Sequence, residues 1–217
     1  MTDASGLFIT LDGPGGVGKS TTAVTLAELL HSRGTPVHAT TEPSHSALGR
    51  FTRAHADQIH GRALACLVAA DRYDHINTEI QPHLDRGETV VCDHYLASTL
   101  VVQRLDQVPE RFLLDLNADI LLPHLAVILT ADPQTITRRL TARGAHHRFE
   151  RDPAAPAREV ELYRLAAQTL RDMGVTVLVV DTASSTPSDA ADRIAAAVPA
   201  PPVASPPAPP STHDRTP

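Results

Sequence analysis

The chain has little of several residue types, and their scarcity excludes whole classes of protein. Its 217 residues include two cysteines, no tryptophan and 3% aromatic residues. Cys66 and Cys92 lie in apolar stretches without metal-ligand or disulfide-framework spacing, so we expect two reduced core residues and a cytoplasmic protein. No window reaches the roughly 18 apolar residues of a membrane span, and no basic segment precedes a long apolar run at the N-terminus. The sequence therefore predicts neither a membrane protein nor a secreted one.

Positive charge is also scarce, and lysine is scarcer still. The 19 basic and 25 acidic residues give a formal net charge of -6 at pH 7, which provides no overall attraction for nucleic acid or an anionic membrane. Lys19 is the single lysine, and the other 18 basic residues are arginines. A planar guanidinium does not easily replace a compact ammonium. Lys19 is therefore a candidate functional residue.

Short apolar runs alternate with longer amphipathic segments along most of the chain. Five runs are typical of buried parallel strands: residues 7–11, 36–39, 89–92, 125–129 and 175–180. Helical patterns cover residues 19–32, 46–57, 61–86, 96–103, 133–143, 157–173 and 187–197. This order predicts a three-layer α/β fold, with a five-stranded parallel sheet and helices on both faces. Residues 1–198 form the predicted domain, and the proline-rich residues 199–217 form a predicted disordered tail.

A complete phosphate-binding motif follows the first apolar run. Residues 13–20, GPGGVGKS, match GxxxxGK[ST] between a predicted strand and a predicted helix. In such a P-loop the backbone N–H groups surround an anion, Lys19 reaches the β- and γ-phosphates, and the Ser20 hydroxyl binds Mg²⁺. The predicted ATP-binding residues are Gly13, Pro14, Gly15, Gly16, Val17, Gly18, Lys19, Ser20 and Thr21.

The P-loop alone does not name the reaction, because kinases, GTPases and motors share it. A GTPase would need an NKxD signature, and the single lysine excludes one. A motor ATPase usually has a long apolar strand that ends in the Walker B carboxylate, with a catalytic glutamate downstream of it. Here His94 and Tyr95 follow Asp93 directly. This pattern favours a site for a second substrate.

From about Leu7 to Val198 the sequence resembles the thymidylate kinase family of nucleoside monophosphate kinases. The matching blocks, besides the P-loop, are residues 41–43 (TEP), 67–72 (LVAADR) with His75, 86–88 (RGE), 93–95 (DHY) with Ser98 and Gln103, 132–133 (DP), 138–139 (RR), 143–144 (RG) and 148–150 (RFE). Their order and spacing match throughout. The resemblance implies the reaction of ATP with dTMP to give ADP and dTDP, with Mg²⁺ as cofactor. It also implies a homodimer whose partners are ATP and a small phosphorylated acceptor.

Five arginines lie within 14 residues: Arg138, Arg139, Arg143, Arg148 and Arg151. In an acidic protein such a cluster favours an anion-closing lid, predicted at about 138–155, although a solvated basic helix face is the alternative. Arg139 and Arg143 are four residues apart and share a helix face. The resemblance implies that one of them stabilises the transferring phosphoryl group. With Lys19 and Asp93 they are the predicted catalytic residues. Asp93 is predicted to hold Mg²⁺ with Ser20 or to orient the acceptor phosphate, and a helix N-cap is the structural alternative.

The resemblance further implies a set of acceptor-binding residues. They are Glu42, Arg50, Val68, Arg72, His94, Tyr95, Ser98, Gln103 and Arg148. Three of them have structural alternatives: Glu42 as a surface-turn carboxylate, Arg72 in a surface ion pair, and His94 packed beside Tyr95 without a ligand.

Four positions depart from the family pattern, all on the acceptor side. Gly15 stands where the family usually has a carboxylate near the sugar hydroxyl. Thr41 and His94 replace arginines, and Val68 replaces an aromatic residue that stacks on thymine. Two alternatives to dTMP therefore stay open. One is a kinase of the same family with a different nucleotide or modified phosphorylated acceptor, and the other is a non-catalytic ATP-binding regulatory protein.

Overall fold

The computed structural model describes residues 6–144, 152 and 154–199. Its strands are β1 (Phe8–Asp12), β2 (Val37–Thr41), β3 (Thr89–Asp93), β4 (Leu125–Thr130) and β5 (Thr176–Asp181). They form one sheet in the order β2-β3-β1-β4-β5, and every neighbouring pair is parallel. The predicted α/β fold with a five-stranded parallel sheet is therefore confirmed.

The described helices are α1 (Lys19–Ser32), α2 (Ala47–His55), α3 (Gly61–His75), α4 (Gln81–Asp85), α5 (Leu96–Leu105), α6 (Glu110–Leu116), α7 (Pro133–Arg143), α8 (Ala155–Asp172) and α9 (Pro187–Ala197). Helices α1, α7 and α9 have their predicted bounds. The helix predicted over 61–86 is present as α3, a π-helical turn at Ile76–Ile80 and α4, which follow one another without interruption. Pro82 follows that turn and has no N–H to continue an α-helical ladder. Helix α6 was not predicted.

Alternate strand residues enter two separate cores on opposite faces of the sheet, as strand geometry requires. On one face Phe8 and Ile128 pack with apolar residues of α3, α5, α6 and α8. On the other face Ile9 and Val127 pack with α1, α7 and α9. The sheet is thus covered on both sides. The central strands β1, β3 and β4 are mostly apolar because both of their faces are buried, while the edge strands β2 and β5 are partly exposed.

The carboxyl ends of β1, β2 and β3 meet at one edge of the sheet. Leu11 of β1 and Thr41 of β2 are both in register with Asp93 of β3. In a parallel sheet this edge is where ligands bind. The P-loop follows β1 there, and the segment 93–95 follows β3, so two distant motifs become neighbours.

The predictions for the two cysteines, the lid and the tail have different outcomes. Cys92 is buried, but Cys66 is exposed on α3, so its prediction as a core residue is wrong; both are free thiols. Residues 138–143 of the predicted lid form the end of α7, while 145–151 and 153 lie outside the described residues. The predicted tail also lies outside them from residue 200 onward. The lid and the tail stay predictions.

Candidate active site

The P-loop connects β1 directly to α1, as the motif predicts. Gly18 has a φ of 94° and caps α1, which begins at Lys19. Gly13 has a φ of 151°, and a Cβ atom there would lie 2.3 Å from the carbonyl oxygen of Leu129 in β4. Glycine is therefore required at position 13 by the close approach of the neighbouring strand.

Lys19 is held inside the loop. Its Nζ donates hydrogen bonds to the carbonyl oxygens of Gly13, at 2.7 Å, and Pro14, at 2.9 Å. Although lysine is rarely buried, only 8% of Lys19 is exposed. The loop and Lys19 line a cavity of about 280 Å³ together with Ser20, Thr21, His94, Val102, Arg143, Glu159 and Tyr163.

Ser20 and Asp93 are in contact, which brings the two predicted metal ligands together. The Ser20 hydroxyl donates to Asp93 Oδ2 at 2.5 Å, and Asp93 Oδ1 is buried without a hydrogen-bond partner among the described residues. Burial raises the pKa of Asp93, although the Ser20 hydrogen bond and the charges of Lys19 and Arg53 oppose the shift. A hydroxyl beside a carboxylate oxygen with spare acceptor capacity fits Mg²⁺, which needs few protein ligands when phosphates supply others.

Asp12, the last residue of β1, anchors the start of α5 next to His94 and was missed by sequence reasoning. Its Oδ1 accepts hydrogen bonds from the N–H of Tyr95, from the N–H of Ser98 and from the Ser98 hydroxyl, at 2.8, 3.0 and 2.6 Å. Burial raises the pKa of this carboxyl despite those bonds. A carboxylate ending an otherwise apolar strand just before a P-loop was the available signal.

His94 lies at the rim of the same cavity. It has a φ of 68°, and its Nδ1 is 2.7 Å from Ser98 Oγ. Because the Ser98 hydroxyl donates its only hydrogen to Asp12, Nδ1 of His94 is the donor in the contact with Ser98. Tyr163 also reaches Ser98, with 3.2 Å between the two oxygens. His94 and Ser98 therefore come together as predicted.

Glu42 and Arg72 form a buried ion pair behind the site. Arg72 Nε donates to Glu42 Oε2 at 2.8 Å, and its two Nη groups donate to Asn117 Oδ1 and Thr99 Oγ1. Arg72 is 1% exposed and lies over the Tyr95 ring, 4.8 Å from its centroid. Both surface alternatives, for Glu42 and for Arg72, are therefore wrong. The Tyr95 hydroxyl donates to the carbonyl of Leu121 at 2.8 Å, and its predicted contact with the acceptor stays a prediction.

The remaining predicted acceptor-binding residues that the structure describes lie on helices α2, α3 and α5. Val68 of α3 is half-buried, and Gln103 of α5 is buried with an Oε1 that has no hydrogen-bond partner among the described residues. Arg50 is exposed and donates to the carbonyl of His45. One turn later Arg53 donates to the carbonyl of Pro43, and its charge acts on Asp93. Arg53, which sequence reasoning missed, is therefore nearer the strand ends than Arg50. Arg148 lies outside the described residues.

Arg139 and Arg143 differ in position although both belong to α7. Arg139 Nη2 donates to the carbonyl of Thr182 at 2.8 Å. It lines a second cavity of about 310 Å³ that lies between the P-loop, α7 and the start of α9. Arg143 lines both cavities. Of these two arginines, Arg143 is therefore the one at the cavity that contains Lys19.

Comparison with known proteins settles the family. The thymidylate kinase family model matches residues 11–192. The chain belongs to the thymidylate kinase family. It is 35% identical over 150 residues to the "Probable thymidylate kinase" of Caldivirga maquilingensis, covering 67% of this chain and 73% of that protein. It is 41% identical over 158 residues to the "Thymidylate kinase" of Leifsonia xyli, covering 69% and 75%.

Membership of the thymidylate kinase family confirms the resemblance and the enzyme class inferred from the sequence, a nucleoside monophosphate kinase. A third relative, the "Probable thymidylate kinase" of Thermococcus gammatolerans, is 30% identical over 181 residues and is matched over 87% of its length. Within the part of the chain that the structure describes, no helix has the length and apolar character to cross a membrane.

His75 is expected to make the stability of the folded protein depend on pH. Burial lowers the pKa of His75, but the hydrogen bond and charge of Glu42, with the charges of Glu79 and Asp71, outweigh burial and raise it. A raised pKa in the folded state stabilises the fold fully below the ordinary histidine pKa of about 6.5, and this stabilisation is lost as pH rises through the folded-state pKa.

We therefore expect the free energy of unfolding to decline between pH 6 and pH 8 more steeply in the wild type than in His75→Gln. Urea denaturation at pH 6, 7 and 8 measures both slopes. His31→Gln, at an exposed position of α1, is the control and should keep the wild-type slope. Equal slopes for the wild type and His75→Gln would contradict the assignment.

Proposed function

We propose that this member of the thymidylate kinase family transfers the γ-phosphoryl group of ATP to dTMP, producing ADP and dTDP. The observation that carries the proposal is the cavity in which the P-loop and Lys19 face His94 and Val102 across the carboxyl ends of β1 and β3. A donor phosphate and an acceptor can meet there. The thymidylate kinases that the chain resembles supply the identity of the acceptor.

The donor side relies on positive charge and on oriented N–H groups. In phosphoryl transfer the protein does little covalent chemistry, and the rate depends mainly on the positioning of the substrates and on cations around the transferring group. Lys19 and the N-terminal end of α1 bind the β- and γ-phosphates, where the helix dipole favours an anion. Arg143, at the same cavity, offsets the charge of the transferring group.

Ser20 and Asp93 are the residues that would hold Mg²⁺. Asp93 Oδ1, which has no hydrogen-bond partner among the described residues, supports this role. The ion would supply charge neutralisation on the donor phosphate oxygens. Asp93 lies at the end of β3 and Ser20 in the first turn of α1, so two rigid elements fix the site.

We place the acceptor nucleotide between α3 and α5. We place the thymine ring against Val68, with the Gln103 amide as its hydrogen-bonding group, because Gln103 Oε1 is buried without a partner among the described residues. We place the monophosphate near His94 and Arg53. A homodimer, a cytoplasmic location and the absence of nucleic-acid and membrane partners stay predictions.

An acceptor screen tests the proposal. ADP release from ATP is coupled to a spectroscopic reaction with dTMP, dUMP, CMP, GMP or a sugar phosphate as acceptor, and dTMP should give the highest kcat/KM. Lys19→Ala provides the background. A higher kcat/KM for another acceptor would favour the alternative of a different substrate, since Thr41, Val68 and His94 depart from the family. ATP binding without transfer to any acceptor would favour the regulatory alternative.

A further inference from the structure

His75 lies behind the acceptor side of the site, between a buried carboxylate and a half-exposed one. None of its side chain is exposed, and its Nδ1 is 3.4 Å from Glu42 Oε1. Its Nε2 is 2.8 Å from Thr40 Oγ1 and 3.5 Å from Glu79 Oε2. The side chain of Glu79 is 29% exposed and pairs with His38 at 2.9 Å. A line of polar contacts therefore runs from the surface at β2 to the buried Glu42.

The two oxygens of the Glu42 carboxylate have different partners. Oε2 is 2.8 Å from Arg72 Nε and 2.7 Å from Arg72 Nη2, whereas Oε1 faces His75. A carboxylate that is held at both oxygens cannot rotate without breaking one of these contacts. The contact with His75 therefore helps to fix the direction from which Glu42 holds Arg72.

Both ring nitrogens of His75 face oxygen atoms, an arrangement that favours the protonated ring. A neutral imidazole carries one ring N–H, so it donates on one side, whereas the cation donates to Glu42 and to Thr40 at once. Burial lowers the pKa of His75, but the carboxylates of Glu42, Glu79 and Asp71 outweigh burial and raise it. The ring therefore changes charge above the ordinary histidine pKa of about 6.5, within the range in which an enzyme assay is practical.

The other titratable groups near His75 come from each element that packs around it. Glu79 of the π-helical turn also pairs with His38 of β2, and Arg72 lies on the far side of Glu42. Cys92 of β3 and Tyr95 at the start of α5 lie near Glu42, and burial raises the pKa of both. Neither of these two groups carries a charge at neutral pH.

Arg72 connects Glu42 to the two helices between which we place the acceptor. It lies four residues after Val68 on α3, so the two side chains share a helix face. The Arg72 guanidinium donates to Thr99 Oγ1 of α5 and lies over the Tyr95 ring. A shift of Arg72 therefore changes the space between α3 and α5.

We propose that His75 is a positioning residue for the acceptor, which acts through Glu42 and Arg72 and makes the affinity for dTMP depend on pH. This inference rests on the proposed function. The charged ring holds Glu42 Oε1, so Arg72 is fixed between α3 and α5. Loss of the proton weakens this hold, and dTMP then binds less tightly. ATP is bound on the other side, by the P-loop and Lys19, and its affinity does not follow the charge of His75.

The test measures the KM for dTMP and the KM for ATP of the wild type and of His75→Gln from pH 6 to pH 8.5. The acceptor phosphate ionises in the same range, and the ratio of the two KM values for dTMP cancels that effect. At pH 6 we expect the variant to have a KM for dTMP about 2–10-fold above the wild type, as for the loss of one hydrogen bond. This ratio should approach 1 at pH 8.5, and the KM for ATP should be the same in both proteins.

Glu79→Gln is the second variant, and it tests the inference even if His75→Gln does not fold. It removes a charge that favours protonated His75 and leaves the Glu42 pair with Arg72 in place. His75 should then lose its proton at a lower pH. The ratio of the variant's KM for dTMP to the wild-type value should exceed 1 near pH 7 and return toward 1 at pH 8.5. His31→Gln, at an exposed position of α1, should give a ratio of 1 throughout.

Several results would overturn the inference, and one would overturn the proposed function. A ratio for folded His75→Gln that does not change with pH would mean that His75 has a structural role alone, and a parallel rise in the KM for ATP would mean that the effect is not specific to the acceptor. A ratio of 1 at every pH for Glu79→Gln would also overturn the inference. Thermal unfolding at each pH shows which proteins are folded in the assay. A wild type that phosphorylates no dTMP at any pH overturns the proposed function, whereas turnover with pH-independent ratios overturns the inference alone.

Discussion

Lys19→Ala is expected to lower kcat for phosphoryl transfer by about 10²–10³-fold or more, because it removes a cation aimed at the transition-state charge. The fold should survive, since Lys19 Nζ donates to two carbonyls of its own loop, Gly13 and Pro14. Steady-state kinetics with dTMP measure the loss, and thermal unfolding measures the fold.

Lys19→Arg is the matched variant, because it keeps the charge and changes the shape. The planar guanidinium does not fit a space bounded by the carbonyls of Gly13 and Pro14, so we expect a loss nearly as large. Turnover of Lys19→Ala within about tenfold of the wild type would be too small an effect for a phosphate-binding lysine.

Arg72→Ala is expected to destabilise the protein by about 3–5 kcal/mol, because it removes the arginine partner of the buried Glu42 carboxylate and leaves only the longer contact with His75. The same change removes hydrogen bonds to Asn117 and Thr99 and a cation–π contact with Tyr95. Urea denaturation measures the free energy of unfolding. The double variant Arg72→Met with Glu42→Gln should recover part of the loss, since it removes both charges.

Arg33→Ala is the control for the Arg72 experiment. Arg33 pairs with Asp192 at 3.0 Å, but the two side chains are 50% and 61% exposed. Such surface pairs contribute about 0–1 kcal/mol. A loss for Arg72→Ala no larger than that for Arg33→Ala would mean that the Glu42 pair does not support the fold.

Local patterns predicted the strands and the P-loop well. The central strands β1, β3 and β4 are buried on both faces, which makes them mostly apolar runs. Each of the five strands begins and ends within two residues of a predicted run. The π-helical turn at Ile76–Ile80 gave a weaker signal, because the helical pattern continues through it and only Pro82 marks it. Cys66 was misplaced for a related reason: an apolar stretch of helix α3 does not say which face is turned to solvent.

Site residues that belong to a sequence motif were predicted, and residues that reach the site through contacts between distant parts of the chain were missed. Ser20 and Asp93 meet as predicted because parallel strands end at one edge. Arg50 and Arg53 both suit a phosphate by type, and only the turn of α2 places Arg53 nearer Asp93. Glu159 gave no local signal, because its contact with Gly15 depends on how α8 packs over the loop.

Two of the positions that depart from the family pattern, Thr41 and His94, form hydrogen bonds within the protein. The Thr41 hydroxyl donates to the carbonyl oxygen of Asp93 at 3.0 Å, and His94 bonds to Ser98. Neither position supplies a permanent charge. Besides Lys19 and Arg143 on the donor side, Arg53 and the buried Arg72 are cations near this edge. We therefore expect Arg53 to contribute more to acceptor-phosphate binding than the sequence alone indicated.

Transfer of label from [γ-³²P]ATP tests the central claim most directly. The protein is incubated with Mg²⁺, labelled ATP and dTMP, and the products are separated by chromatography. The account predicts that the label appears in dTDP in equal amount to the ADP formed, and that it does not do so with Lys19→Ala. Label that remains in ATP, or appears only as inorganic phosphate while dTMP is unchanged, would contradict a thymidylate kinase activity of this site.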